Sequence, residues 1–170
     1  MHPERTTTGA VEGDMLRRAL RTFPTGVTVV TTRGPAGDHG LTATSFTSVS
    51  LSPPLVLVCV QADSRGTATI AANGAFAVNV LTAEQGALAR RFASPDRPRG
   101  PRAFAGVGHA SAVTGCPVFA SVGAYLDCRL VRAEPAGDHV IFLGEVLALG
   151  CNPESVPLLW LGGRCEALAA

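Results

Sequence analysis

The sequence predicts a mainly β fold with a few inserted helices, a barrel of short strands, on three observations. Runs of β-branched and apolar residues five to fourteen long recur at short spacing. They are separated by Gly, Pro and Asp turn material, and only three short segments carry a helical period. A doubly wound sheet would alternate every strand with a long helix, and this chain does not. At 170 residues it fits one domain. The expected organisation is a flexible tail over 1–13 and a single domain over 14–170.

The elements follow in order. Leu16, Ala19, Leu20 and Phe23 fall at i, i+3, i+4 and i+7, which predicts a helix with one buried face from about Asp14, its expected N-cap, until Pro24 blocks further turns. Val27–Thr32 is β-branched throughout, and 34–40 is turn material that leads by a hairpin into Leu41. Leu55–Val60 reads as a strand buried on both faces. Ala68–Ala72 suits a short helix stopped by Gly74, and Phe76–Leu81 is a further strand. Thr82 with Gln85 forms a capping box that opens a helix through Leu88–Phe92. Ser94–Arg102, with three prolines and three arginines, is expected to be a loop. Two long strands, Ala120–Ala133 and His139–Leu149, flank a turn at Glu134–Asp138, and Pro157–Leu161 ends the set at about seven strands.

Composition removes several function classes. The chain is 46% apolar and 16% charged, so a homo-oligomer would hide apolar surface that its few charges leave uncovered. All 14 basic residues are Arg, which excludes a Lys Schiff base, a Lys nucleophile and a P-loop. Net charge is +1 with no basic stripe, against nucleic-acid binding. The five cysteines are odd in number and form no C-x-x-C pair, as expected of buried reduced thiols in a cytoplasmic protein. No apolar run approaches the ~18 residues of a membrane span. No dinucleotide glycine fingerprint, nucleophile elbow or zinc-helix motif is present, so any enzymatic chemistry is expected to belong to a bound cofactor.

The binding candidates are polar groups in apolar settings. Leu41–Ser52 carries a ladder of hydroxyls, Thr42, Thr44, Ser45, Thr47 and Ser48, able to meet a heterocycle's edge and a polyol; an exposed edge strand is the alternative. Asp63-Ser-Arg-Gly-Thr67 follows a strand and opens a helix, so Ser64, Arg65 and Thr67 suit a phosphate, or form an ordinary polar turn. Asn79 lies inside an apolar strand and must bond to backbone or to a ligand. Of Arg90 and Arg91, the second is the preferred ligand contact. Gly137-Asp138-His139 aims an imidazole at the barrel mouth or simply caps a turn.

Four segments, Phe23-Pro-Thr-Gly-Val-Thr-Val-Val-Thr-Thr32, Leu41 to Leu55, Phe76-Ala-Val-Asn-Val-Leu81 and Ala136-Gly-Asp-His139, stand together in an order and spacing that resembles the short-chain flavin reductase family, the reductase components of two-component flavin-dependent monooxygenases. The likeness runs from about Leu16 to Leu168. It implies an FMN-binding split barrel, a homodimer with the flavin near the subunit interface, FMN or FAD as flavin and NADH or NADPH as hydride donor. Reduced flavin would pass to a monooxygenase partner. It implies a flavin cradle within Thr42 to Ser48, from Thr42, Ala43, Thr44, Ser45 and Ser48, a phosphate site at Ser64, Arg65 and Thr67, and His139 beside the nicotinamide as the catalytic contact; Cys59, Asn79, Arg91 and Phe92 are further candidate cofactor contacts. A non-catalytic flavin-binding protein and an oxidase acting on its own substrate remain the alternatives. Trp160 and Gly163-Arg164-Cys165 depart from the usual aromatic pattern near the C-terminus, and the Asp96–Arg102 loop departs in content.

Overall fold

The computed structural model describes residues 10–34, 37–98 and 100–167; the predicted tail over 1–9, the tip of the first hairpin, Arg99 and the last three residues lie outside them. Half of the chain is strand, and a few helices are inserted. The central sheet has seven antiparallel strands: β2 (Thr28–Gly34), β3 (Gly37–Ala43), β4 (Thr47–Leu51), β5 (Pro54–Gln61), β6 (Ala75–Val80), β9 (Ala124–Ala136) and β10 (His139–Cys151). Their order is β3-β2-β6-β9-β10-β5-β4, so β3 and β4 are its two edges and the barrel does not close by hydrogen bonding. Smaller sheets join β1 (Thr25–Gly26) to β11 (Leu158–Leu161) and β12 (Arg164–Ala167), and β7 (His109–Ser111) to β8 (Pro117–Phe119).

Alternation along β2 divides the core. Val29 faces one cluster, with Leu81, Phe92, Phe104 and Phe119, and Val30 faces the other, with Val58, Ile70, Phe76 and Phe142. In the first cluster the rings of Phe92, Phe104 and Phe119 lie 5.3 to 5.8 Å apart. Gly144 on β10 lets the second cluster close, since a Cβ there would sit 2.6 Å from the Phe76 ring. Gly137, at φ 63°, makes the turn of the β9–β10 hairpin.

Most predicted elements exist, with shifted ends. The strand expected from Ala120 begins at Ala124, because Ser121 takes a positive φ of 59° in a turn, and it runs through Pro135 to Ala136. Part of the Ser94–Arg102 loop is helical: Gly100–Phe104 is a 3-10 turn. β5 alternates instead of being buried on both faces: Val56, Val58 and Val60 point into the core, while Leu55, Leu57 and Cys59 are half-buried. The first helix, α1 (Gly13–Leu20), departs most from expectation. It begins inside the span assigned to the tail, and its N-cap residue is Glu12, with Asp14 paired to Arg17 in the first turn. Its apolar face is not buried: Leu16, Leu20 and Phe23 are 52%, 57% and 66% exposed. All five cysteines are free thiols, but only Cys116 and Cys128 are buried, and Cys151 is exposed.

Candidate functional site

The site grows from the seam of the open sheet. β3 ends at Ala43, β4 starts only at Thr47, and the backbone N–H groups of Thr44, Ser45 and Phe46 between them make no backbone hydrogen bond to the described residues. The expected continuous ladder from Leu41 to Ser52 is therefore two strands with a bend, and β4 carries a bulge between Ser48 and Ser50. Ser45 spans the seam. Its Oγ donates to the Cys59 carbonyl at 2.8 Å and accepts from the Cys59 N–H at 3.0 Å, tying the end of β3 to β5. Thr42 Oγ1 donates to the Ala89 carbonyl at 2.7 Å, which fixes the second helix of the site, α3 (Gly86–Ala93), against β3.

These residues line a cavity of about 350 Å³, with Thr42, Ala43, Thr44, Ser45, Cys59 and His139 in its wall. The size suits a small-molecule cofactor site, which typically spans some 300 to 1,000 Å³. A second cavity, of about 470 Å³, shares Thr42 and Thr44 and continues past Arg90 to Trp160 and Cys165. A third, of about 390 Å³, adjoins the first across Gln61, Ser64, Ala93 and Arg97 and reaches His39, Arg65 and Thr69. Together they form one groove along β3.

The helix α2 (Arg65–Asn73) starts beside this groove. Ser64 is its N-cap, with its Oγ accepting from the Thr67 N–H at 3.2 Å, as the capping residue types predict. Gly66 eases the approach: a Cβ there would run into the end of the Leu41 side chain, which would have to shift for the first turn of α2 to lie against β3. The N–H groups of that turn have no intrahelical acceptor and carry partial positive charge, a natural place for an anion. The donor set thus fits a flavin: unpaired amides for a heterocycle's edge at Thr44 and Ser45, and the first-turn amides of Arg65 and Gly66 for its phosphate.

His139 opens β10 opposite Gln61 and faces the cavity, half-exposed. Its Nδ1 lies 2.7 Å from Asp138 Oδ1, and this hydrogen bond holds the Asp138 carboxyl below its ordinary value. With Nδ1 donating to the carboxylate, Nε2 is left as an acceptor. His39, which the sequence reading passed over, lines the adjoining cavity, and its Nε2 is buried without a hydrogen-bond partner. Burial first, then the charges of Arg97 and Arg65, push its imidazole down to about 4, so it is neutral near pH 7.

Four of the expected contacts lie apart from the groove. Asn79 is fully buried, and its amide is spent on the fold: Nδ2 donates to Val29 O and Thr31 Oγ1, both at 3.1 Å, and Oδ1 accepts from the Phe119 N–H at 2.7 Å. Phe92 is 1% exposed at the centre of the ring cluster. Arg91 turns away from the groove and donates to the carbonyls of Arg102, Ala103 and Ala105, so Arg90 is the arginine that faces it. Ser48 is exposed on β4 and is absent from the walls of all three cavities. Thr67 acts one step back, its Oγ1 donating to the Gln61 carbonyl at 2.6 Å. Arg90 could have been found from sequence, since α3 sets residues 89 and 90 on different faces. His39, Gln61 and Arg97 gave no signal, because only the fold brings them together.

The flavin reductase like domain family matches residues 20–169. The NADH-dependent FAD reductase of Streptomyces globisporus is 46% identical over 155 residues, 91% of this chain and 85% of that protein. The structure of the Streptomyces globisporus C-1027 NADH:FAD oxidoreductase SgcE6, in complex with NAD and FAD fragments, superposes with a TM-score of 0.85 at 42% identity, over 95% of this chain and 98% of that one. BorF, the flavin reductase component of a bacterial two-component tryptophan halogenase, gives 0.87 at 40% identity, over 94% and 99%.

Proposed function

The chain belongs to the flavin reductase like domain family, and on that premise we propose that it is an NAD(P)H-dependent flavin reductase that supplies reduced FMN or FAD to a partner monooxygenase. The observation that carries this reading is the groove along β3, where amides left unpaired by the broken strand adjoin a capped helix start. Relatives with printed activities agree in kind, the Streptomyces globisporus reductase using NADH and FAD and BorF serving a two-component system.

In this reading the Thr42–Ser45 wall and Cys59 hold the ring system, and the first turn of α2 at Ser64 holds the phosphate. Once bound, the flavin supplies the hydride-accepting centre, its N5. The chain's own residues bind and orient: Ser45 fixes the spacing of the two walls, Thr42 fixes α3, and His139, with its tautomer set by Asp138, presents Nε2 to the nicotinamide amide. No general acid or base of unusual pKa is required, because holding two rings at reacting distance accounts for the rate. Residues 14–170 act as one reductase unit with a split barrel, open at the β3 and β4 edges.

The partner copy in a homodimer covers the apolar face of α1. The Gly162 N–H donates to the Arg21 carbonyl at 3.1 Å, which ties the end of α1 to the turn after β11, where Trp160 and Leu161 are also exposed, and clustered exposed apolar residues mark an interface. Among the described residues no helix is long and apolar enough to cross a membrane, and the free thiols suit a cytoplasmic location. The reading is tested by steady-state oxidation of NADH and of NADPH with added FMN or FAD. Flavin-dependent turnover with at least one pair is expected. No turnover with any of the four pairs overturns it.

A further inference from the structure

His39 carries a buried polar atom that the fold does not use. It lies on β3 opposite Thr32, and its Nε2 has no hydrogen-bond partner among the described residues. That atom borders the first turn of α2: a Cβ on Gly66 would lie 3.4 Å from His39 Nε2 and 3.5 Å from Ser64 Oγ. A buried group left unpaired is costly, and a ligand that completes it recovers the cost. A phosphate seated on the amides of Arg65 and Gly66 comes within reach of this imidazole.

The charges that face the ring come from several elements. Arg65 of α2 and Arg97 beyond α3 line its cavity, while α3 and the Gly100–Phe104 turn bring the uncharged Ala93, Gly100 and Ala103. Next to it on β3, Asp38 pairs with Arg33 of β2 at 2.8 Å and stands 3.9 Å from Nε2 of His109 on β7. Burial first, then Arg97 and Arg65, keep the His39 ring uncharged near pH 7.

We propose that His39 shares one proton with a phosphate monoester held at the start of α2, so that the groove accepts the dianion and the monoanion alike. This rests on the flavin reductase reading above, with a mononucleotide flavin, and adds to it the residue that frees binding from the phosphate's charge state. Toward the dianion, the neutral ring takes the tautomer that donates from Nε2. Toward the monoanion, the phosphate hydroxyl donates to Nε2, or its proton crosses to the ring and the phosphate oxygen accepts. Only an O–H or an N–H bond changes, and the total charge of the pair is the same either way. Arginines and amides alone favour the dianion, and the second ionisation of a phosphate monoester lies near about pH 6. Below it, a groove without His39 binds only after a proton is lost, which weakens binding about tenfold for each further pH unit.

The test is calorimetric titration of FMN, and of riboflavin, which lacks the phosphate, at pH 7.5 and 5.0, with the folded fraction checked by circular dichroism. At pH 7.5 FMN is expected to bind at least about tenfold more tightly than riboflavin. At pH 5.0 the unaltered protein should keep its FMN affinity within about threefold, whereas His39→Gln, which still forms hydrogen bonds and cannot titrate, should lose about tenfold. Riboflavin affinity should not change with pH in either protein. Titrations at pH 5.5 in two buffers of different ionisation enthalpy should show almost no proton released by the unaltered protein and roughly one by His39→Gln. A tenfold loss in the unaltered protein, release of a proton when it binds FMN, or equal pH dependence in the two proteins overturns the inference. So does FMN binding no tighter than riboflavin. Each of these outcomes leaves the reductase reading standing as long as NADH or NADPH still reduces added flavin at pH 7.5.

Discussion

Two hydroxyl-rich strands of this chain look alike in sequence and serve opposite ends. On β2, Thr28, Thr31 and Thr32 are all buried, and each donates inward: Thr28 to the Ala43 carbonyl at 2.8 Å, Thr31 to Pro117 at 2.5 Å and Thr32 to Ala75 at 2.8 Å. Asn79 completes that network from the neighbouring strand. At the β3 end, Thr42 bonds once to Ala89 and Ser45 twice to Cys59, and the amides of Thr44 and Ser45 are left open to a groove. The first region is a polar core with its partners built in, and the second is a polar wall short of partners. What separates them is position in the sheet: β2 is flanked by strands on both sides, and β3 is an edge.

The largest break in this contrast is Asn79→Leu. It strands the Phe119 N–H in the core and removes the donor to Val29 O and Thr31 Oγ1, and a buried group left unsatisfied costs about 1 to 3 kcal/mol. A loss of roughly 3 kcal/mol in chemical denaturation is expected, with flavin affinity unchanged in the folded fraction. An Asn79 that bound flavin would instead lower affinity at little cost in stability.

The next tests the groove's own buried polar group. His39 has a folded value of about 4 against an ordinary 6.5, so the unfolded chain binds more protons between those values. Stability from this group is therefore complete above pH 6.5 and is lost as pH falls through 4, by up to about 3 kcal/mol from the size of the shift. Melting curves from pH 7 to 4 should show this acid limb, and His39→Leu should flatten it. An identical limb in the variant would assign the loss to other groups.

The smallest effect separates two neighbouring arginines. Arg91→Ala releases three backbone carbonyls and should cost about 1 to 2 kcal/mol of stability. Arg90→Ala, facing the groove, should leave the melting temperature within about 2 °C and change flavin or nucleotide affinity. The reverse pattern would restore Arg91 as the ligand contact.

By itself the sequence determined what local chemistry can determine. Turn residues and β-branched runs set the strands, the Thr82–Gln85 capping box and the Ser64 cap set two helix starts, and Gly137 set the long hairpin. The order of four motifs was enough to identify the family. Tertiary structure alone decided which polar residues line the groove. Whether a Thr or Asn finds a backbone partner depends on strands far away in sequence, as Asn79 does on Val29 and Phe119. It also decided that α1 keeps its apolar face exposed. Helical periodicity predicts that a face is apolar, and only the packed chain tells whether anything within it is there to cover that face.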